Sequence, residues 1–409
     1  LSALDLKAVD KLERIKNVEL IIGIPSYNCA HTINYVIYQS AIGLKKFFPY
    51  YKSLILVSNG GSIDGTQEVA QAIKIPESIR KEVIEYKGIP GKGSAIKTIF
   101  EVAKFLDSKA VVMVDSDLRS INQHWIKLLV EPILNGVDLV TPFYIRHKYD
   151  ATITNHVCYP FTQAVYGKRI RQPIGGDFGL SMKLIKKLLE SDLWDNPYTR
   201  KFGVDIFITH SAIYGGFKIK QAFLGSKVHE AKDPGKHLAS MFKQVVGSMF
   251  FCMLNYESFW KKVKVSHNVP LIKHKIPFMH PEPIVINIKN LIKDFKNELK
   301  INYALLKTIL SKDSMDALNR LKEAGEKSFK LSNETWAKIF YEFSACFKKE
   351  SLKSKRESIL DALKNLWIGK IIDFAILTKT MNDEEAEKEV IEEAKAFERL
   401  KTYLLEIYF

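Results

Sequence analysis

Over the first 117 residues, short apolar β-branched runs alternate with longer stretches of helical period. Val18–Pro25, Leu54–Val57, Val83–Tyr86 and Ala110–Val114 read as strands. Thr32–Phe48, the stretch from Thr66, and the stretch opened by Gly88–Ser94 and closing at Phe105 read as helices, and an amphipathic lead-in helix is predicted over 1–17. Strands that lack polar alternation are buried on both faces, so the pattern predicts a parallel sheet with helices on either side. Further along come a helix over Trp125–Leu134, a strand over Asp138–Phe143, a helix ending at Tyr166, a helix from Gly203-Val204-Asp205 and a strand over Phe217–Phe223. Residues 261–283 are basic and carry Pro270, Pro277, Pro281 and Pro283, as a connecting arm would. From 284 to 409 every run is helical, with amphipathic stretches over Trp336–Lys348, Ile359–Thr378 and Asp383–Tyr408. The predicted organisation is an α/β domain over 1–260, an arm over 261–283 and a helical region over 284–409. Trp and Phe at helical spacing in the tail read as core, so the tail is expected to pack on the sheet domain or build a homo-oligomer.

The strand ends carry the candidate chemistry. Ala110–Val114 runs into Asp115-Ser116-Asp117, two carboxylates one residue apart and so on one face of a strand. Open α/β sheets place ligands at the carboxyl ends of their strands, and hard oxygen ligands there suit Mg2+ or Mn2+ on a diphosphate. An Asp-x-Asp alone is as readily a carboxylate-rich turn. Pro25, Tyr27 and Asn28 follow the first strand and could frame a base or ribose. Asn59 and Asp64 lie in the glycine-rich loop after the second, and Lys92 between two glycines could reach a phosphate. The stretch is no P-loop, since Gly93 rather than Ser or Thr follows the lysine. Each loop singly is an ordinary turn; four at successive strand ends resemble a nucleotide-diphosphate site. Gly175-Gly176-Asp177 is a glycine-rich turn carrying an acid, Asp205 lies at a helix start where it would also serve as a cap, and Val228-His229 offers a further metal ligand.

Composition narrows the class. The chain has 409 residues and a net charge of +15, enough for two domains and pointing to anionic partners. The densest basic stretch, 261–300, shows no arginine-rich or aromatic signature, which argues against nucleic acid and for anionic small substrates. Cys29, Cys158, Cys252 and Cys346 are far apart, as buried thiols in a reducing compartment would be. The start shows no signal-peptide pattern, and Val245–Leu254, the most apolar stretch, is too short to span a bilayer. The expectation is a soluble, cytoplasmic protein without a membrane span.

In this order the motifs Pro-Ser-Tyr-Asn, the glycine loop with Asp64, Gly91-Lys92-Gly93, Asp115-Ser116-Asp117, Gly175-Gly176-Asp177 and Val228-His229 resemble a retaining glycosyltransferase of the GT-A fold, in the group of mannosylglycerate and glucosyl-phosphoglycerate synthases. The resemblance spans about 18–260. It implies a donor half over about 18–117 and an acceptor half over 118–260. It further implies metal ligands at Asp117 and His229, with Asp115 beside the metal and donor ribose; Lys92, Gly175 and Gly176 at the donor; and Asp177 and Asp205 as catalytic carboxylates near the transferred sugar. Arg146, Asp150 and Thr154 match positions that hold glycerate. The implied reaction moves glucose or mannose from a GDP- or UDP-linked sugar to a small hydroxy acid, with Mg2+ or Mn2+.

The chain also departs from the group. Cys29 stands where many such enzymes have Glu, Asn59 where an Asp is frequent, and Thr152 where phosphoglycerate enzymes usually carry an Arg suited to a phosphate. Thr152 points to D-glycerate rather than 3-phosphoglycerate. A lipid or polysaccharide acceptor is the competing enzyme reading. A nucleotidyltransferase lacks its glycine-rich basic signature here, and a silent sugar-nucleotide scaffold fits poorly with the full set of acids, Lys92 and His229.

Overall fold

The computed structural model describes residues 12, 13, 15, 17–229, 237–277 and 279–409. The lead-in helix falls mostly outside them; Leu12 and Glu13 are helical. In chain order the strands and helices are β1 (Leu20–Ser26), α1 (Ile33–Phe47), β2 (Ser53–Asn59), α2 (Thr66–Ala72), β3 (Ile79–Glu85), α3 (Lys92–Phe105), β4 (Ala110–Met113), α4 (Gln123–Leu134) and β5 (Leu139–Ile145). A π-helical turn (Thr154–Cys158), α5 (Tyr159–Tyr166), β6 (Lys168–Arg169), β7 (Phe178–Ser181), α6 (Met182–Leu189), α7 (Val204–Tyr214) and β8 (Ile219–Ser226) follow. The remainder is α8 (His237–Asn255), α9 (Glu257–Trp260), β9 (His267–Asn268), β10 (Leu271–Ile272), α10 (Ile288–Ile309), α11 (Lys312–Glu323), α12 (Asn333–Lys349), α13 (Lys353–Leu377), α14 (Asp383–Arg399) and α15 (Lys401–Tyr408).

Eight strands form one sheet in the order β10-β8-β5-β7-β4-β1-β2-β3. Leu20 of β1 pairs in parallel with Ser53 of β2 on one side and Ala110 of β4 on the other. The chain leaves β1 toward β2 and returns past it to β4, so the crevice between the ends of β1 and β4 is the switch point where such sheets bind ligands. Alternation places Leu20, Ile22 and Ile24 in one core with Ile33, Ile37, Trp125 and Leu129 from α1 and α4. On the opposite face α3 lies so close that a side chain on Gly23 would come within 2.6 Å of Ile99. The expected all-parallel sheet needs one correction. β7 runs antiparallel to both β4 and β5, with Met113 opposite Phe178 and Val140 opposite Gly179. A four-residue run behind Gly-Gly-Asp carries no sign of its direction; pairing across the sheet decides it.

The chain sorts into two compact units: Leu1–Ile145 with Gln172–Asp233 and Val269–Pro281, and Arg146–Arg171 with Pro234–Asn268 and Glu282–Phe409. These spatial limits do not follow the linear ones expected at 260 and 283. The 146–171 segment and α8 join the helical tail, and β10, inside the expected arm, pairs with β8 at the sheet edge. The second unit has its own aromatic interior, with Phe242 stacked on Trp367 at 4.7 Å, Trp336 edge-on to Phe340, and Phe397 tilted against Phe340. Cys29, Cys158 and Cys252 are buried thiols, while Cys346 is partly exposed.

Candidate active site

At the carboxyl end of β4 the chain bonds Val114 N–H to Gly23 O at 3.0 Å and then turns out with Asp115. Because β7 lies antiparallel beside β4, the Gly175-Gly176-Asp177 turn enters at this same edge. Gly176 has φ +84°, and a Cβ there would sit 2.3 Å from Asp115 Oδ2, so the close approach requires glycine. The Asp115 N–H donates to Asp177 Oδ1 at 2.9 Å. Tyr144, at the end of β5, donates its hydroxyl to Asp177 Oδ2.

Two lysines bind these acids together. Lys227 Nζ reaches Asp115 Oδ2 at 2.6 Å, Asp177 Oδ2 at 2.8 Å and Gly175 O at 2.8 Å, with its side chain only 5% exposed. Lys92 Nζ lies 2.8 Å from Asp115 Oδ1 and 3.0 Å from Asp205 Oδ2. The result is an alternating row, Asp177–Lys227–Asp115–Lys92–Asp205, with three carboxylates against two ammonium groups. Burial works to raise the Asp115 carboxyl, but Lys227 and then Lys92 outweigh it and hold Asp115 well below the usual carboxylate range. Burial prevails at Asp177 and Asp205, whose carboxyls are raised above the usual value despite their lysine partners. Burial alone would lower Lys92, but Asp115 and Asp205 hold its ammonium above the ordinary lysine range. Asp205 Oδ1 is buried and has no hydrogen-bond partner among the described residues.

The segments that carry Asp117 and His229 meet through their backbones next to these residues. Leu118 and His229 form an antiparallel bridge, and Arg119 N–H donates to Val228 O at 2.8 Å. Both side chains are half-buried. Asp115 offers little to a cation, since each of its oxygens already holds a lysine. Among the described residues no cluster of three or more His, Cys, Asp or Glu is arranged as a metal cage. Asp117 brings a carboxylate oxygen and His229 an imidazole nitrogen, a donor pair that a divalent cation would have to complete with diphosphate oxygens and water.

Residues 21–193 match the family model described as glycosyl transferase family 2. A glucosyl-3-phosphoglycerate synthase from Petrotoga mobilis is 24% identical over 245 residues, 55% of this chain and 71% of that protein. The mixed sheet and the match over 21–193 give the chain a GT-A-type fold. Its likeness to the synthase indicates a hexosyltransferase enzyme. Among solved structures, glucosyl-3-phosphoglycerate synthase from Mycobacterium tuberculosis with Mn2+, UDP-glucose and phosphoglyceric acid aligns at 23% identity, TM-score 0.46, over 61% of this chain and 83% of the other. The same enzyme with Mg2+ and UDP aligns at 24% identity, TM-score 0.46 and the same coverage. Among the described residues no helix is long and apolar enough to cross a membrane.

Several loop residues spend their polar groups on the loops themselves. Asn59 is buried, donating to Gln67 Oε1 at 3.1 Å and accepting from Ser62 at 2.6 Å. Asp64, just before the Gly65 N-cap of α2, accepts Thr66 N–H at 3.1 Å and Ala30 N–H at 3.0 Å. Asn28 accepts Ile63 N–H at 3.0 Å, Pro25 is buried within β1, and Tyr27 stands 63% exposed beyond it. Gly93 lets the 198–201 loop approach α3: a Cβ there would fall 2.0 Å from Thr199 O, and the Gly93 and Ser94 N–H groups donate to Lys201 and Arg200 carbonyls. Of the acceptor candidates, Arg146 pairs with Asp150 at 2.7 Å, and Thr154 opens the π-helical turn; all three lie in the second unit. Sequence reasoning missed Lys227 and Tyr144. The available signal was alternation at the end of β8, which puts Lys227 and His229 on one face, but Lys227 is one of 61 basic residues.

Proposed function

We infer that this glycosyltransferase moves a hexose, with retention of configuration, from a UDP- or GDP-linked sugar to a small hydroxy acid of the glycerate class. The observation that carries the reading is the alternating Asp–Lys row at the β1/β4 switch point, ending in the unpartnered Asp205 oxygen. The donor's diphosphate would lie toward Asp117 and His229, which would hold the divalent cation. That cation supplies charge neutralisation to the departing nucleotide. Asp205 Oδ1 accepts a hydroxyl of the transferred sugar and faces the positive charge that grows at the anomeric carbon. Asp177, with three donors already converging on it, holds Lys227 and Asp115 in place rather than reacting. Arg146 grips the acceptor carboxylate while Asp150 and Thr154 bind its hydroxyls, which fixes the attacking oxygen.

D-glycerate is the first choice of acceptor, because Thr152 is neutral and buried and Arg146 already shares its charge with Asp150. The likeness to the Petrotoga synthase supports 3-phosphoglycerate as the second reading. The test crosses UDP- and GDP-sugars with both acids, with and without Mg2+ or Mn2+, and reads released nucleotide and the anomeric proton of the product. Arg146→Ala should cost about ten- to a hundred-fold in acceptor efficiency, the worth of one charged hydrogen bond of about 1.5–3 kcal/mol. Asp117→Ala and His229→Ala should each lower transfer by about a hundredfold or more. Full turnover by EDTA-stripped enzyme refutes the cation. A higher specificity constant for phosphoglycerate refutes the first acceptor, and no product from either acid refutes the class.

A further inference from the structure

The acceptor candidates occupy 146–158, and that stretch is bonded to the C-terminal helices along its length. Arg171 donates to both oxygens of Glu387 on α14, from Nε at 2.6 Å and from Nη2 at 2.7 Å, and the same Nη2 donates to Asn155 Oδ1 at 2.8 Å. Asn155 Nδ2 donates to Asp150 O at 3.0 Å, and Asp150 pairs with Arg146. A continuous chain of polar contacts thus runs Glu387–Arg171–Asn155–Asp150–Arg146. One helical stretch away on the same helix, Glu393 takes His156 Nδ1 at 2.9 Å, both side chains fully buried. Lys148 donates its backbone N–H to Asp383 at the start of α14 (2.9 Å) and its ammonium to the carbonyls closing α13.

Two features say that this bonding does more than hold the tail on. The bonded stretch is conformationally costly. It includes Ala151 at φ +54°, where a residue with a Cβ is disfavoured, and a π-helical turn that begins at Thr154 itself. Such geometry persists only where surrounding contacts over-determine it. Those contacts also come from outside residues 21–193, the part matched by the family model. The Arg171–Glu387 fork is bidentate, so it fixes direction as well as distance.

We propose that α14 is the template of the acceptor pocket, and that Glu387 is a positioning residue that sets Arg146 and Thr154 through Arg171 and Asn155. The proposal rests on reading Arg146, Asp150 and Thr154 as acceptor contacts, so its test separates the two. In Glu387→Gln one of the two acceptor oxygens becomes an NH2 facing an arginine donor, so half of the fork is lost; in Glu387→Ala it is gone. Backbone amide exchange of residues 147–158 should accelerate at least tenfold in Glu387→Ala, while β1, β2 and β4 exchange at the wild-type rate. The acceptor KM should rise about tenfold, with the donor KM and nucleotide release in the absence of acceptor unchanged; a merely structural role would move all of them together. Exchanging the pair as Arg171→Glu with Glu387→Arg should recover part of the acceptor KM. Unchanged exchange over 147–158, or faster exchange with an unchanged acceptor KM, overturns the template. If the wild type accepts neither glycerate nor phosphoglycerate, the acceptor assignment fails, and the exchange measurement still decides whether α14 orders the segment.

Discussion

Replacing Lys227 by Met keeps most of the side-chain volume and removes one charge from a site where little water reaches. Its ammonium stands 2.6 and 2.8 Å from two carboxylates. At an effective dielectric of about 20, each contact is worth roughly 6 kcal/mol of gross attraction. Desolvating the lysine and the acids cancels much of that, so the net stabilisation of the trio is far smaller. What the substitution leaves behind is the larger effect. Asp115 and Asp177 remain against each other, joined by the Asp115 N–H, and the row changes from three acids on two lysines to three on one. Breaking a buried pair in this way costs about 3–5 kcal/mol. Native-state hydrogen exchange of Val111, Val112 and Met113 in β4 measures it, because those amides open only when this part of the sheet opens. Asp177→Asn supplies the control: the amide keeps the shape and needs no counter-charge. Lys227→Met with Asp177→Asn should therefore be at least about 2 kcal/mol more stable than Lys227→Met alone, a coupling well above additivity error. A loss below about 1 kcal/mol in Lys227→Met, or a double variant no better than the single, refutes the argument that Lys227 holds the site's charge balance.

The Gly176 turn should be as intolerant as its geometry. Gly176→Ala brings a methyl onto Asp115 Oδ2, the oxygen that holds Lys227, and should cut transfer at least tenfold, whereas Gly216→Ala, also at positive φ (+67°) but with nothing within 4 Å, should keep full activity; equal activities would refute the steric reading. Lys401, buried and donating to the carbonyls of Val165, Trp260 and Val263, is pushed down to about 8 by that burial from an ordinary 10.5. Between those values the unfolded chain binds the extra proton, so stability should rise with pH from about 8 to about 10.5, by up to about 3 kcal/mol. Thermal melts of wild type and Lys401→Met across that range should converge in slope below pH 8 and diverge above it; parallel profiles throughout refute it.

The sequence by itself determined the local elements and the chemistry at their ends. The β-branched runs of β1, β2 and β4 and the helical period of α12, α13 and α14 are read from neighbours a few residues apart; the structure has the strands with ends shifted by one or two residues, starts α13 at Lys353 rather than Ile359, and divides Asp383–Tyr408 into α14 and α15. The approach of Asp115, Lys92 and Asp205 at strand and helix ends was legible because sheet topology brings such ends to one edge. What tertiary structure decided are the contacts across long sequence separations. Lys227 meets Asp115 across 112 residues, and Lys92 meets Asp205 across 113. The direction of β7, which brings Asp177 to Asp115, is set by pairing on both its edges rather than by its own four residues. Asn59 looked suited to a nucleotide, but it is spent on Gln67 and Ser62 because a buried amide must find its partners nearby. The 146–171 segment reads as part of the sheet domain yet groups with the helical tail, because its buried His156 and its Arg171 find their partners, Glu393 and Glu387, on α14. Periodicity reports which face of an element is buried; it carries no information about which distant charge will be waiting there.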